Sequence, residues 1–215
     1  MSDGLTARSG RRTQAERSSA MRERLLDATI DCLVTYGYAG TTTNRIAQRA
    51  GVTRGAQIHH FPSKEDLVAA AIEHLAHQRA AKATADLGLI EDNPDKVTAI
   101  LDFLWSLHQG PMFVATIELW IASRTDPVLA AQIERVEPVI NAGVFAAVVQ
   151  LLPDHAAQRD VRHAAYTVMD AIRGLLISSF VDGDEERLQR RWDRAKSRLR
   201  RDIESALSSG GGSSA

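Results

Sequence analysis

This 215-residue chain has a single cysteine, Cys32, and few aromatic side chains, which make up 5% of its residues. One cysteine excludes an internal disulfide framework and suits a reducing compartment, so we expect a cytoplasmic protein in which Cys32 is a small buried hydrophobe. The longest nearly uncharged stretch, 136–153, is too short and too polar for a membrane span, and the N-terminus lacks the apolar run of a secretory signal. We therefore expect no membrane partner.

Motifs for catalysis and metal binding are also missing. The sequence has no Gly-x-Ser-x-Gly, no P-loop pattern, and no glutamate followed three residues later by a histidine, the pair that di-iron bundles need. Glu73, His74 and His77 share one helical face, but no second helix offers matching ligands, and the adjacent His59 and His60 point apart on a helix. The sequence thus predicts no enzyme, no metal site and no cofactor.

Charge is divided unevenly along the chain, although its net charge is only −1. Residues 1–64 carry ten Lys/Arg against five Asp/Glu, whereas residues 65–215 carry sixteen against twenty-two. The first part therefore has a net charge of +5 and the second −6. A basic head on an acidic body is typical of a protein that contacts nucleic acid with one part only.

The segment from Thr41 to Phe61 predicts two short helices joined by a tight turn at Ala50-Gly51-Val52. The threonines at its start offer an N-cap and phosphate donors, Gly51 allows the sharp turn at no steric cost, and Thr53 can cap the second helix. This spacing fits a helix-turn-helix, whose second helix enters the major groove of DNA.

These residues resemble the DNA-binding domain of TetR-family transcriptional regulators over about residues 21–75. The resemblance is carried by Thr41-Thr42-Thr43, Ile46-Ala47, Ala50-Gly51-Val52, Gly55, His59-His60-Phe61 and Ser63-Lys64-Glu65. The family usually has a Leu-Tyr pair before its histidines, and here the pair is Gln57-Ile58. Ile58 cannot donate the tyrosine's hydrogen bond to a phosphate, whereas Gln57 can read a base edge.

Only helical patterns occur outside this segment, so we predict an all-α chain of about nine helices: a three-helix head with the helix-turn-helix and a helical body. The predicted units are a disordered basic arm (1–19), the DNA-binding domain (20–65), an effector-binding and dimerisation domain (66–207) and a flexible tail (208–215). The predicted helices outside the helix-turn-helix are 21–36, 66–85, one from Asn93-Pro94 to the break at Gly110-Pro111, one from there to 123, and then 127–152, 155–181 and 184–207, with a loop at 87–93. The arm carries four arginines that either follow DNA or stay solvated: Arg8, Arg11, Arg12 and Arg17.

Roles in DNA binding follow from side-chain chemistry. Arg54 and Gln57 are the predicted base contacts, because arginine suits guanine and glutamine suits adenine. Gly55 allows a close backbone approach. The predicted phosphate contacts are Thr41, Thr43, Arg45, Thr53, His59, His60 and Lys64.

The last two predicted helices carry narrow apolar seams at alternating three- and four-residue steps. In the resembling family these helices form a four-helix dimer interface, so we predict a homodimer; the alternative is that both seams pack inside one chain. The predicted interface residues are Val161, Ala165, Val168, Ile172, Leu175, Leu188, Trp192, Ala195 and Leu199. Eight basic residues from Arg187 to Arg201 are interspersed with acids, which predicts a solvated, salt-bridged face rather than a second DNA site.

In the family, small molecules bind in the body and shift the linking helix, so that the two heads no longer match their half-sites. Apolar walls with a few polar groups predict a pocket for an unidentified apolar or amphipathic effector, with core packing of the same residues as the alternative. The predicted lining is Leu104, Trp105, His108, Met112, Phe113, Ile117, Glu118, Trp120 and Phe145. The sequence thus predicts a dimeric repressor that an effector releases from a pseudo-palindromic DNA operator; an effector-independent DNA-binding protein and an activator are the alternatives.

Overall fold

The computed structural model describes residues 13–91, 93–152 and 159–210, and over these ranges it contains nine α-helices and no strand. This confirms the predicted all-α fold. The helices are α1 (Gln14–Gly40), α2 (Thr43–Ala50), α3 (Arg54–His60), α4 (Lys64–Glu91), α5 (Lys96–Leu107), α6 (Pro111–Ser123), α7 (Pro127–Leu151), α8 (Arg159–Asp182) and α9 (Glu185–Gly210).

Short polar side chains cap the N-termini of several of these helices. The Thr42 hydroxyl accepts from the Arg45 N–H, and the Thr53 hydroxyl caps α3 in the same way at 3.2 Å. At α4, the Asp66 N–H donates to Ser63 Oγ at 3.0 Å and the Ser63 N–H donates to Asp66 Oδ2 at 3.1 Å. This reciprocal pair is a capping box.

The helix α1 begins at Gln14, well before the predicted start at residue 21. Thr13 and Glu16 form a second capping box, because each side chain accepts from the other residue's N–H. Arg17 therefore lies on α1, whereas Arg8, Arg11 and Arg12 lie outside the described residues.

The boundary between α4 and α5 also differs from the prediction. The predicted loop at 87–93 is wrong, because α4 continues to Glu91 through Gly88, which a helix tolerates at a cost of about 1 kcal/mol. Asp95, not Asn93, caps α5 by accepting from the Thr98 N–H at 3.1 Å. Asn93 instead accepts from the Asp95 N–H in a local turn. The predicted start of the eighth helix, at 155, lies outside the described residues.

Two apolar cores hold the helices together. The head core contains Leu25, Leu33 and Ile46, and α6 and α7 extend it with Leu119 and Leu129. The first half of α4 also packs there, so the proposed domain division at residue 66 falls in the opening turn of a helix that both units share. The head is therefore packed directly on the body.

The body core is centred on a stacked pair of indoles. The Trp105 and Trp192 rings lie 4.6 Å apart at an interplanar angle of 6°, and they join α5 to α9. Met169 and Ile172 of α8 pack into the same core. The outer side of α9 carries ion pairs one turn apart, including Arg200–Glu204 at 2.8 Å, which confirms the predicted salt-bridged face.

The predicted dimer seam faces the protein's own core. Five of its residues are at most 7% exposed in a single chain, and the other four pack against the same core: the buried five are Val161, Ala165, Val168, Ile172 and Trp192, and the half-buried four are Leu175, Leu188, Ala195 and Leu199. A side chain buried in one chain cannot form an interface with another, so the assignment of the five buried residues is corrected in favour of internal packing, and that of the other four stays a prediction.

The opposite side of α8 is apolar and exposed. Tyr166, Ile177 and Val181 are 42%, 41% and 94% exposed. By length and composition alone, Val161–Val181 is also apolar enough to cross a membrane, the one such stretch among the described residues, but a core helix passes the same test. Its two apolar faces are explained by a core on one side and an uncovered surface on the other.

Candidate nucleic-acid interface and body cavity

The turn between α2 and α3 is stabilised by hydrogen bonds from its own backbone and from a side chain of α1. Gly51 takes a left-handed conformation, with φ 63° and ψ 40°, and its N–H donates to the Gln48 carbonyl. Arg24 of α1 donates to the carbonyls of Ala50 and Gly51. These bonds fix the angle at which α3 leaves α2, and the sequence analysis missed the part that Arg24 plays.

The helix α3 presents one exposed face, formed by Arg54, Gly55, Ile58 and His59. These positions share a side because they are separated by about one helical turn. Arg54 donates to Asn44 Oδ1 of α2, and Ile58 is 45% exposed. The face therefore combines a fork of guanidinium donors, a bare backbone position and an aliphatic side chain.

Gln57 lies on the other side of α3 and has no exposed surface. Its Nε2 donates to the Phe61 carbonyl, and its Oε1 is buried without a partner in the structure. The prediction that Gln57 contacts a base is therefore wrong for this conformation. The helical period alone separates position 57 from the exposed face, and Ile58 takes the outward place.

Two of the predicted phosphate contacts are engaged inside the head. Thr41 is fully buried and its hydroxyl donates to the Gly37 carbonyl at 2.8 Å, so this assignment is corrected. Lys64 Nζ donates to the Tyr38 carbonyl at 2.7 Å and lies 4.0 Å from the centre of the Tyr38 ring. Burial lowers the Lys64 pKa, but an ammonium has three donors and Lys64 stays half-exposed.

The other predicted phosphate contacts lie at the surface of the head. Arg45 is exposed above the Tyr36 ring at 4.5 Å, and its guanidinium donates to the Gly40 carbonyl. Thr53 and His59 are exposed, while Thr43 and His60 are half-buried.

Across the described part of the chain, no group of three or more His, Cys, Asp or Glu side chains could hold a metal ion.

Glu118 connects the body to the head. Its Oε2 accepts from the Tyr38 N–H at 3.3 Å, and the Tyr38 hydroxyl donates to Asp126 Oδ2 at 3.1 Å. Burial and the Asp126 carboxylate raise the Tyr38 pKa to about 12. Gly37 has φ 66°, and a Cβ added there would lie 2.9 Å from Glu118 Oε2. This close approach ties α6 and α7 to the end of α1.

The nine residues predicted to line one pocket are spread over several places. Ile117 is sealed in the body core, and Met112 packs against the head core. Leu104 is buried in the body core and also lines an apolar cavity between α5, α7, α8 and α9. Phe145 lies under Arg162 in a surface groove, with the guanidinium 5.0 Å from the ring. Trp105, His108 and Phe113 line a cleft between α5, α6, α8 and α9. The predicted set is therefore corrected, and most of it is core.

His108 is buried and neutral. Only 2% of the residue is exposed, and its Nδ1 lies 2.8 Å from the Leu104 carbonyl. Burial lowers the His108 pKa to about 4, and the charges of Arg79 and Arg173 add to that effect. These two arginines border a separate cavity nearby.

That cavity, of about 30 Å³ in this conformation, lies between α4, α6, α7 and α8. Of the nine residues predicted from the sequence to line a pocket, only Trp120 lines this cavity. The residues that line the cavity are Ile72, Leu75, Arg79, Thr116, Leu119, Trp120, Ile133, Glu137, Asn141 and Arg173. Arg79 was missed, although it continues the buried stripe of Ile72 and Leu75 at helical spacing. We call this space the arginine cavity.

Comparison with known proteins gives a consistent picture. Residues 25–71 match the family described as bacterial regulatory proteins, tetR family. The chain is 31% identical over 181 residues to the HTH-type transcriptional regulator CymR of Pseudomonas putida, covering 84% of this chain and 89% of that protein. It is 33% identical over 110 residues to the HTH-type transcriptional repressor AcnR of Corynebacterium diphtheriae, covering 51% of this chain and 53% of that protein.

The fold is also found among solved structures. A TetR transcription regulator from Haloarcula marismortui superposes with a TM-score of 0.66 at 21% sequence identity, covering 84% of this chain and 96% of that one. These relatives are named as regulators of transcription, in agreement with the expectation that the chain is not an enzyme.

Proposed function

The chain belongs to the TetR family of bacterial transcriptional regulators, and we propose on that premise that it is a dimeric repressor that a small molecule releases from a pseudo-palindromic operator. The observation that carries the proposal is the exposed face of α3, held at a fixed angle in a head of positive charge. The protein would work in the cytoplasm, where its DNA is.

Base contacts come from the exposed face of α3. Arg54 offers two parallel donors for the O6 and N7 atoms of guanine, and Gly55 lets the backbone approach the groove. Ile58, which takes the outward place that Gln57 was expected to hold, offers an apolar contact for the methyl group of thymine. Recognition at this position would then depend on shape and apolar contact.

Phosphate contacts come from side chains around that face. Thr43, Arg45, Thr53, His59 and His60 are at least partly exposed, and Lys64 keeps donors beyond its bond to Tyr38. These contacts position the head without reading sequence. A two-fold dimer places the two α3 helices in successive major grooves, with half-site centres about 10 bp or more apart.

The dimer would form through the exposed face of α8 in place of the buried seam. Tyr166, Ile177 and Val181 provide an uncovered apolar stripe, and nothing lies within 4 Å of a Cβ added at Gly174, so a partner helix can approach closely. In sedimentation, Ile177→Glu should give monomers, whereas Val128→Glu, which changes a more exposed aliphatic position on α7, should leave the dimer intact. A wild-type chain that sediments as a 23.5 kDa monomer at micromolar concentration would end the dimer proposal.

The effector would act through helices that contact both the arginine cavity and the head. The helix α6 lines the cavity with Thr116 and Trp120, and its Glu118 holds Tyr38. The helix α4 lines the cavity with Arg79 and begins at Lys64, which also holds Tyr38. A ligand that favours another packing of these helices would change the head orientation, to the extent that it binds that state more tightly.

A reporter gene tests the direction of control. The operator is first recovered by selection from random double-stranded DNA and then placed over a promoter. Expression of the wild-type chain should lower transcription from that promoter, whereas the variant Arg54→Ala should leave transcription at its unrepressed level. An increase in transcription would favour an activator. Repression that no ligand relieves in the intact protein would favour the effector-independent alternative.

A further inference from the structure

Arg79 is buried without a counter-ion. The residue is 7% exposed, and its Nη2 donates to the Leu107 carbonyl at 3.3 Å. Among the described residues, no acidic side chain lies within 4.0 Å of its guanidinium. Burial, and to a lesser extent the charge of Arg173, lower the Arg79 pKa to about 10. A buried guanidinium is costly unless it is paired and fully hydrogen-bonded.

Arg173 reaches the same cavity from α8. Its guanidinium lies 4.9 Å from the Trp120 ring and donates to Asn141 Oδ1 at 3.2 Å. Its bond to Asp170 is long, at 3.5 Å, and that carboxylate is 75% exposed. The Nε atom is buried without a partner. Arg173 thus keeps a donor free inside the protein.

The charges that line the cavity are unequal, although Asp170 pairs with Arg173 from outside it at 3.5 Å. Two guanidiniums line it, against one carboxylate, Glu137, which attracts Arg173 but does not come within ion-pairing distance of it. Most of the remaining wall is aliphatic or aromatic. Guanidinium groups pair with carboxylates through two parallel hydrogen bonds, and they do so most strongly where water is excluded.

We infer that the arginine cavity binds an organic carboxylate with an apolar body, its charged end between Arg79 and Arg173 and its apolar end against Ile72, Leu75 and Trp120. This inference rests on the proposed function, because it names the chemical class of the effector. A carboxylate there would lie against the two like charges, and its apolar end would widen the cavity, which is about 30 Å³ in this conformation, so its binding would favour another packing of these helices.

Arg79 also has a structural task that the test must separate. Its bond to the Leu107 carbonyl lies at the C-terminal end of α5, where a cation is favourable. If that were its whole role, replacing Arg79 would change stability but would not change the relative affinity for acids and neutral compounds.

The test compares 4-phenylbutyrate with its neutral amide, on the purified full-length protein at constant ionic strength. Calorimetry and thermal unfolding report binding, and millimolar affinity is expected for ligands of this size. The carboxylate should bind at least ten-fold more tightly than the amide. Arg79→Gln and Arg173→Gln should each reduce that preference to less than three-fold, whereas Arg135→Gln, an exposed arginine on α7, should leave it unchanged.

Several results would overturn the inference. Equal affinity for the acid and the amide would do so. An unchanged preference for the acid in folded Arg79→Gln and Arg173→Gln proteins would also contradict it. So would the absence of binding of either compound at about 20 mM, roughly ten times the dissociation constant that a ligand of this size should reach. Arg173→Lys, which keeps the charge but loses the paired donors, replaces Arg173→Gln if the latter does not fold.

Operator release is measured separately, by fluorescence anisotropy of labelled DNA. Release by neutral compounds but not by acids would leave the regulator proposal standing and overturn the anion inference. Binding of acids without release would support the carboxylate site and contradict the ligand-responsive mechanism.

Discussion

Gly37→Ala tests the contact between head and body. Gly37 has φ 66° and ψ 175°, a conformation that is essentially restricted to glycine, so any side chain there costs about 1–3 kcal/mol. The added Cβ would also lie 2.9 Å from Glu118 Oε2 and displace a carboxylate that accepts from the Tyr38 N–H. Losing that long bond costs about 1 kcal/mol more.

We therefore expect Gly37→Ala to lower the free energy of unfolding by about 2–4 kcal/mol and, in a chain of this length, the Tm by roughly 4–16 °C. Gly183→Ala is a control for a positive φ without a crowded neighbour, because Gly183 has φ 63° and nothing lies within 4 Å of its added Cβ. It should show the cost of a side chain at positive φ without a steric contact. Urea unfolding followed by circular dichroism measures both.

Combining the change with Glu118→Ala completes a double-mutant cycle. Once the carboxylate is gone, Gly37→Ala should cost about 1 kcal/mol less than it does in the wild-type chain, and that difference is the coupling. Strictly additive effects, or a cost for Gly37→Ala below about 0.5 kcal/mol, a value typical of an ordinary surface substitution, would show that Glu118 does not hold the end of α1 as described.

Three further predictions concern single side chains. Gln57→Leu should leave operator preference unchanged because the side chain is buried, whereas Ile58→Ala should cost about 1 kcal/mol and relax one thymine position in competition binding. Lys64→Ala should weaken binding to all sequences and flatten the salt slope by about one unit; an altered sequence preference would contradict its role. The His108 pKa is lowered to about 4, so the unfolded chain takes up the proton first and stability should fall by about 3 kcal/mol as pH drops from 6.5 to 4. His108→Asn should remove that loss in pH-dependent unfolding.

Features that depend on neighbouring residues could be predicted from the sequence. The turn at Gly51 and the cap at Thr53 were both confirmed. Each involves a few adjacent residues whose conformational preferences act locally. The second helix of the motif was placed correctly for the same reason, but its rotation was not, since Gln57 was expected outside and is buried.

Features that depend on how helices pack were harder to predict. The helix α8 has an apolar seam at Val168 and Ile172 and a second apolar stripe at Ile177 and Val181, and the sequence does not say which one faces the core. The arginine cavity needs four helices to come together before Arg79 has a neighbour in Arg173. Aromatic residues in a helical bundle mainly fill the core, which is why the residues predicted to line one pocket lie in several different places.

The central claim is that this chain reads a specific DNA sequence as a dimer, and selection from random double-stranded DNA by the purified protein tests it most directly. The account predicts enrichment of a palindrome whose half-sites are about 10 bp or more apart, and loss of that enrichment in Arg54→Ala. Binding that is sensitive to salt but blind to sequence, or enrichment of a single unpaired half-site, would contradict it.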